Sequence, residues 1–138
     1  MRWMVLTPLI LATPALALAQ PAFAPGPEVK VVATTQQVLD EVNAARATRG
    51  LRPFILDENL ARAAVACATF RAQHGLDGHT SNDFGFLPAG TQARSAGCAA
   101  WPVGMGWGSC CTYDNYQYAG AGYCIGADGR RYMQLFVR

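Results

Sequence analysis

The C-terminal segment from Arg130 to Val137 constrains this chain most. Tyr132, Gln134 and Phe136 alternate with Met133, Leu135 and Val137, so apolar side chains fall at both parities. Successive side chains of a strand point to opposite faces. A strand with apolar groups on both must be covered on both, which predicts a central strand rather than an edge. Gly126-Ala127-Asp128-Gly129 just before it is a hairpin turn signal. The partner strand is expected over Tyr116 to Ile125.

A buried strand needs a core to bury it, and the composition supplies one. The 138 residues are 51% hydrophobic and 14% charged, which excludes a disordered chain and sets an expectation of one domain. The formal net charge of +2 leaves no polycationic footprint for nucleic acid, and all basic residues except Lys30 are Arg, scattered along the chain. The N-terminus reads as an export signal. Arg2 precedes an apolar run from Trp3 to Leu18, and small residues follow at Ala17 and Ala19 and at Ala22 and Ala24. Cleavage is expected after Ala19 or Ala24. Residues 1–24 then form the signal peptide and the start of a linker, 25–33 its remainder, and 34–138 the domain. No later apolar run reaches the roughly 20 residues of a membrane helix, so no membrane span is expected after cleavage. The expected location is secreted or periplasmic.

Export places the five cysteines, Cys67, Cys98, Cys110, Cys111 and Cys124, in an oxidising compartment. An odd count allows at most two internal bridges. Cys124 is expected to pair with Cys110 or Cys111, and Cys67 with Cys98 or the remaining member of the adjacent pair. Two helices precede this region. Thr34 or Thr35 starts the first, Val38, Leu39, Val42 and Ala45 recur at helical spacing, and Gly50 and Pro53 end it. After an extended Phe54-Ile55-Leu56, Asp57 caps a second helix carrying Leu60, Ala63, Ala64, Cys67, Ala68 and Phe70 on one face and ending near Gly75. From Gly78 to Ser109 the chain reads as an irregular stretch rich in Gly, Ala, Ser and Pro. Such length is unusual in a small domain and marks a disulfide-held or functional region.

The run Val38-Leu39-Asp40-Glu41-Val42-Asn43-Ala44-Ala45-Arg46, followed by Gly50, Pro53, Asp57, Leu60, Ala64 and His79, resembles the opening of the CAP superfamily of cysteine-rich secretory, antigen 5 and pathogenesis-related 1 proteins. Tyr118-Ala119-Gly120-Ala121-Gly122 and Asp128 to Phe136 resemble its closing Gly-rich strand and hairpin. The resemblance covers about the first half of the mature chain and its last 20 residues. It implies an α+β fold, a CAP-like α-β-α sandwich, here shortened, with two N-terminal helices and a C-terminal β-hairpin. Many members hold a divalent metal with two His and two Glu, and only His79 carries over. Val42 stands where the first His of the helix motif would be, no Glu follows Glu58, no His follows His79, and Gly104 to Gly108 replaces the Gly-Glu-Asn motif.

The expectation is therefore no metal, no cofactor and no catalytic residue. Asp77, His79 and Asp83 lie within one short segment but lack the alternating oxygen ligands of a calcium loop; turn and capping roles account for the two Asp. His74 reads as a cation at a helix C-terminus. The candidate cleft comprises His79, Tyr113, Tyr116 and Trp107. The leading expectation is an exported, non-enzymatic CAP-like module of the cell envelope or extracellular space that binds a protein, lipid or glycan. The alternatives are a residual hydrolase using His79 with a free Cys110 or Cys111, and a purely structural envelope protein held by disulfides.

Overall fold

Thr34 begins the ordered domain by closing a capping box. Its hydroxyl accepts from the Gln37 amide at 3.2 Å while its own amide donates to Gln37 Oε1 at 2.9 Å. Helix α1, Thr35–Ala47, follows and buries Val38, Leu39 and Val42. The computed structural model describes residues 33–108 and 111–138; the expected signal peptide, nearly all of the linker and Cys110 lie outside them. Past α1, Gly50 takes a left-handed φ of 66° that a residue with a side chain adopts only under strain. A two-residue strand β1, Ile55–Leu56, leads to Asp57, whose carboxylate accepts from the Asn59 and Leu60 amides at 3.0 and 3.2 Å. Helix α2, Glu58–His74, runs from that cap to Gly75, a left-handed C-cap. Both helices start, and α2 stops, where their capping residues predict; α1 ends earlier, at Ala47 with Thr48 as its C-cap, ahead of Gly50.

The remaining strands are β2, Ser95–Pro102, β3, Tyr118–Ile125, and β4, Arg130–Val137. They form a four-stranded mixed sheet of order β1-β3-β4-β2, with β1 parallel to β3 and the other pairs antiparallel. β4 is central, as its two apolar faces require, although its partner begins at Tyr118 rather than Tyr116. Met133, Leu135 and Val137 meet Val38, Leu39 and Val42 of α1, with Ala119 and Ala121 of β3 in the same cluster. Phe136, of opposite parity, joins Leu60, Ala63, Ala64 and Cys67 of α2. One helix therefore covers each face of an α+β fold.

The α2 face rests on a glycine stripe. A Cβ at Gly120 would lie 2.0 Å from the Ala61 nitrogen, and one at Gly122 2.5 Å from the Val65 nitrogen. Helix backbone sits directly on strand backbone there, a closeness only glycine permits.

The stretch from Gly78 to Ser109 is not the irregular loop its composition suggests. It holds a 3-10 turn, Asp83–Phe86, and all of β2, which pairs with β4 from Ser95↔Val137 to Pro102↔Arg130. Ser-Ala-Gly-Cys-Ala-Ala-Trp-Pro has neither β-branched residues nor clear alternation. Its extended form comes from the ladder with β4, not from local preference.

Asn43 and Arg46, on the α1 motif, tie the helix to the link that follows. Asn43 exchanges two hydrogen bonds with the Phe54 backbone, at 3.1 and 2.7 Å. The buried Arg46 donates to the carbonyls of Arg52, Thr112 and Asp114 and lies 3.6 Å above the Phe54 ring.

Candidate functional site

His79 is held from beneath. Four residues on, the 3-10 turn carries Asp83, whose side chain is 4% exposed while that of His79 is 49% exposed. Asp83 accepts from His79 Nδ1 at 2.5 Å, from the Thr80 amide at 2.8 Å, from the Thr80 hydroxyl at 2.6 Å and from Gln134 Nε2 at 2.9 Å. Burial alone would raise this carboxyl. The hydrogen bonds from His79, Thr80 and Gln134 outweigh it and bring the pKa down to about 2. An ionised carboxylate only accepts, so His79 Nδ1 carries the hydrogen and Nε2 is left for solvent or a ligand.

The support continues into the core. Gln134, fully buried on β4, accepts from Arg71 Nη1 at 3.4 Å through its Oε1. Arg71 projects from α2 and is itself fully buried; it donates to the carbonyls of Met133, Gly78 and Asp77 at 2.7, 2.6 and 2.6 Å. A buried guanidinium and a buried carboxylate are thus joined through one amide. Buried charges persist where they are paired and hydrogen-bonded, and this network fixes both the 3-10 turn and the His79 ring.

A hollow of about 370 Å³ opens beside His79, lined also by Thr80, Ser81, Asn82, Asp83 and Arg94. A second of about 440 Å³ adjoins it at Arg94, bounded by Gln92, Asn115, Tyr116, Gln117 and Arg138. Both sit at the end of the sheet where β2 and β3 begin and β4 finishes. Arg94 donates its amide to the Val137 carbonyl at 2.7 Å, and the Tyr118 amide donates to the Arg138 carbonyl at 2.9 Å.

Of the four cleft candidates, His79 and Tyr116 lie on these adjoining hollows and the other two do not. Trp107 is buried in the α1-side core. Tyr113 has one ring face covered by the Arg49 guanidinium at 3.5 Å. Asp77 turns away from His79 to pair with Arg130 at 2.6 Å. Among the described residues, no group of three or more His, Cys, Asp or Glu is placed to hold a metal ion. His74 stays at the end of α2, its ring stacked on Phe70 at 4.1 Å.

The cysteines divide between the faces. Cys111 belongs to the α1-side core, with Ser95 Oγ 3.0 Å from its sulfur. Cys124 lies on the α2 side and donates its thiol to the Ala68 carbonyl at 3.2 Å. The sheet separates them, so the expected Cys124–Cys111 bridge is not the arrangement found; its alternative with Cys110 falls outside the described residues. Cys67 shares the α2 side with Cys98, whose register partner is Gln134. Burial, and then the neighbouring Asp83 carboxylate, pushes the Cys67 thiol up to about 12. Burial also raises Cys124.

The sequence reading missed Arg71, Gln134 and Arg94. The first two carried a signal: Arg71 follows Cys67 by one helical turn on the apolar face, and Gln134 stands between Tyr132 and Phe136 on a buried strand. A polar residue at a core position needs a partner, and each supplies the other's. Arg94 carried none.

No family model matches the chain, and no curated protein or solved structure is significantly similar to it.

Proposed function

We propose that this chain is an exported, non-enzymatic binding module of the cell envelope or extracellular space, built as a shortened CAP-like α-β-α sandwich without the metal tetrad. The single observation carrying the reading is the open hollow beside His79, whose ring is held by a buried, ionised Asp83. A fixed, half-exposed imidazole among hydroxyl and amide groups binds and orients a polar partner. Support for the CAP-like architecture comes from the helix on each face of the sheet and from Asn43 and Arg46, which use the motif that carries the resemblance to anchor the Pro53 link. Support for export comes from the N-terminal run and its small-x-small pairs.

The thiol-hydrolase alternative is disfavoured by a specific observation. The nucleophile it requires is Cys110 or Cys111: Cys111 is buried in the α1-side core, across the sheet from the Asp83–Gln134 contact that holds His79, and Cys110 lies outside the described residues.

The test is co-sedimentation of the full chain, exported from a bacterial host, with washed bacterial cell-envelope fragments. Retention in the pellet is expected, and Ser81→Trp, an exposed substitution that fills the hollow, should abolish it. No retention of the unaltered chain would return the protein to a purely structural role. Ester or amide turnover that disappears with His79→Ala would make it an enzyme.

A further inference from the structure

We propose that the His79 end of the sheet binds a polysaccharide bearing carboxylate or phosphate groups, along a track from His79 past Arg94 to Tyr116. The proposal rests on the binding-module reading above and names its ligand class. The two hollows of about 370 and 440 Å³ share Arg94 as a common wall. Together they form an elongated surface suited to successive units of a polymer rather than to one small molecule.

Charge selects an anion. The described ion pairs engage Arg130, Arg131 and Arg138. Arg94, exposed at the junction of the hollows, is in none of them. Asp83 is the one side-chain carboxylate lining either hollow among the described residues, and its oxygens already accept from His79, Thr80 and Gln134. The Arg138 charge is matched by Asp57 at 2.7 Å. Arg94 is therefore a guanidinium at the centre of the track with no ion pair among the described residues, and its planar fork suits a carboxylate or phosphate. One such cation is too few for a nucleic acid, whose affinity rests on many phosphate contacts.

The remaining lining, polar groups with the exposed Phe84 ring beside them, suits a sugar. Ser81, Asn82, Gln92, Asn115 and Gln117 offer amide and hydroxyl groups that both donate and accept, as sugar hydroxyls require. Tyr116 is half-buried against the α1-side core, so its ring is a rigid face at low entropic cost. A lipid chain would leave these polar groups without partners.

The experiment is an amide-resonance titration of the full exported chain with hexagalacturonate, with neutral cellohexaose, inorganic phosphate, an acidic hexapeptide and phosphatidylglycerol vesicles as comparison probes. Hexagalacturonate should move the amides of Ser81, Arg94, Asn115 and Gln117 together and bind at least tenfold tighter than cellohexaose or phosphate. Arg94→Ala should weaken it tenfold or more, and Arg94→Lys should recover part of that loss. Gln92→Glu, a second exposed variant that sets a like charge beside the anion, should weaken it as well. The proposal is overturned if cellohexaose binds equally, if Arg94→Ala and Gln92→Glu have no effect, or if the peptide or the vesicles bind more tightly. Absence of hexagalacturonate binding while envelope sedimentation persists would overturn the polysaccharide and leave the binding module standing. Loss of both would overturn both.

Discussion

Replacing Asp83 with Asn tests the network that holds the site. The wild-type carboxyl sits at about 2 in the folded protein against 3.8 for an ordinary Asp. That gap corresponds to about 2 kcal/mol of stability at neutral pH. The sign follows from the direction. A depressed folded pKa means the stabilisation is complete above the unfolded value and is lost as pH falls from about 4 through about 2. Asp83→Asn removes this charge and turns one oxygen into an NH2 group, which then faces a donor from His79, Thr80 or Gln134. Each buried donor left without an acceptor costs about 1–3 kcal/mol. The variant should therefore be less stable by roughly 2–4 kcal/mol at pH 7. The gap from wild type should shrink by about 2 kcal/mol on going to pH 2. Urea unfolding, followed by fluorescence of the buried Trp107, measures both quantities across this range. Other carboxylates are common to the two proteins and cancel in the difference. Parallel stability curves for wild type and variant from pH 7 to pH 2 would refute the reasoning.

Gly120→Ala should cost about 3 kcal/mol or more, because its Cβ would lie 2.0 Å from helix backbone that no rotamer change can clear; thermal unfolding showing a loss under about 1 kcal/mol would mean α2 does not rest on the glycine stripe. Leu135→Ala and Phe136→Ala should each cost about 2–5 kcal/mol in chemical denaturation, since the two residues fill cores on opposite faces of β4; small effects at both would place β4 at an edge. Mass spectrometry after alkylation should find Cys124 unmodified in the native protein and labelled as a free thiol once the unreduced chain is denatured, because it faces α2 and donates to Ala68; a recovered Cys111–Cys124 disulfide would contradict the separation of these residues by the sheet.

What the sequence determined by itself was local. Thr34 with Gln37, Asp57, Gly75 and the Gly126–Gly129 turn act on backbone groups within a few residues, so the starts of both helices, the stop of α2 and the final hairpin could be read along the chain. The two-faced apolar pattern of β4 likewise stated its own burial, and hence its central place, without naming its neighbours. Only the tertiary structure made a strand of Ser95–Pro102, because small residues without alternation adopt an extended form there through the β4 ladder. It also decided which candidates share a surface. His79 and Tyr116 come to one end of the sheet, whereas Trp107 enters the core and Tyr113 lies under Arg49. The chain from Arg71 through Gln134 to Asp83 joins α2, β4 and the 3-10 turn across separations of 63 and 51 residues. Its members stabilise one another only after hydrophobic burial has removed their water, and neither spacing nor periodicity records a partner gained that way.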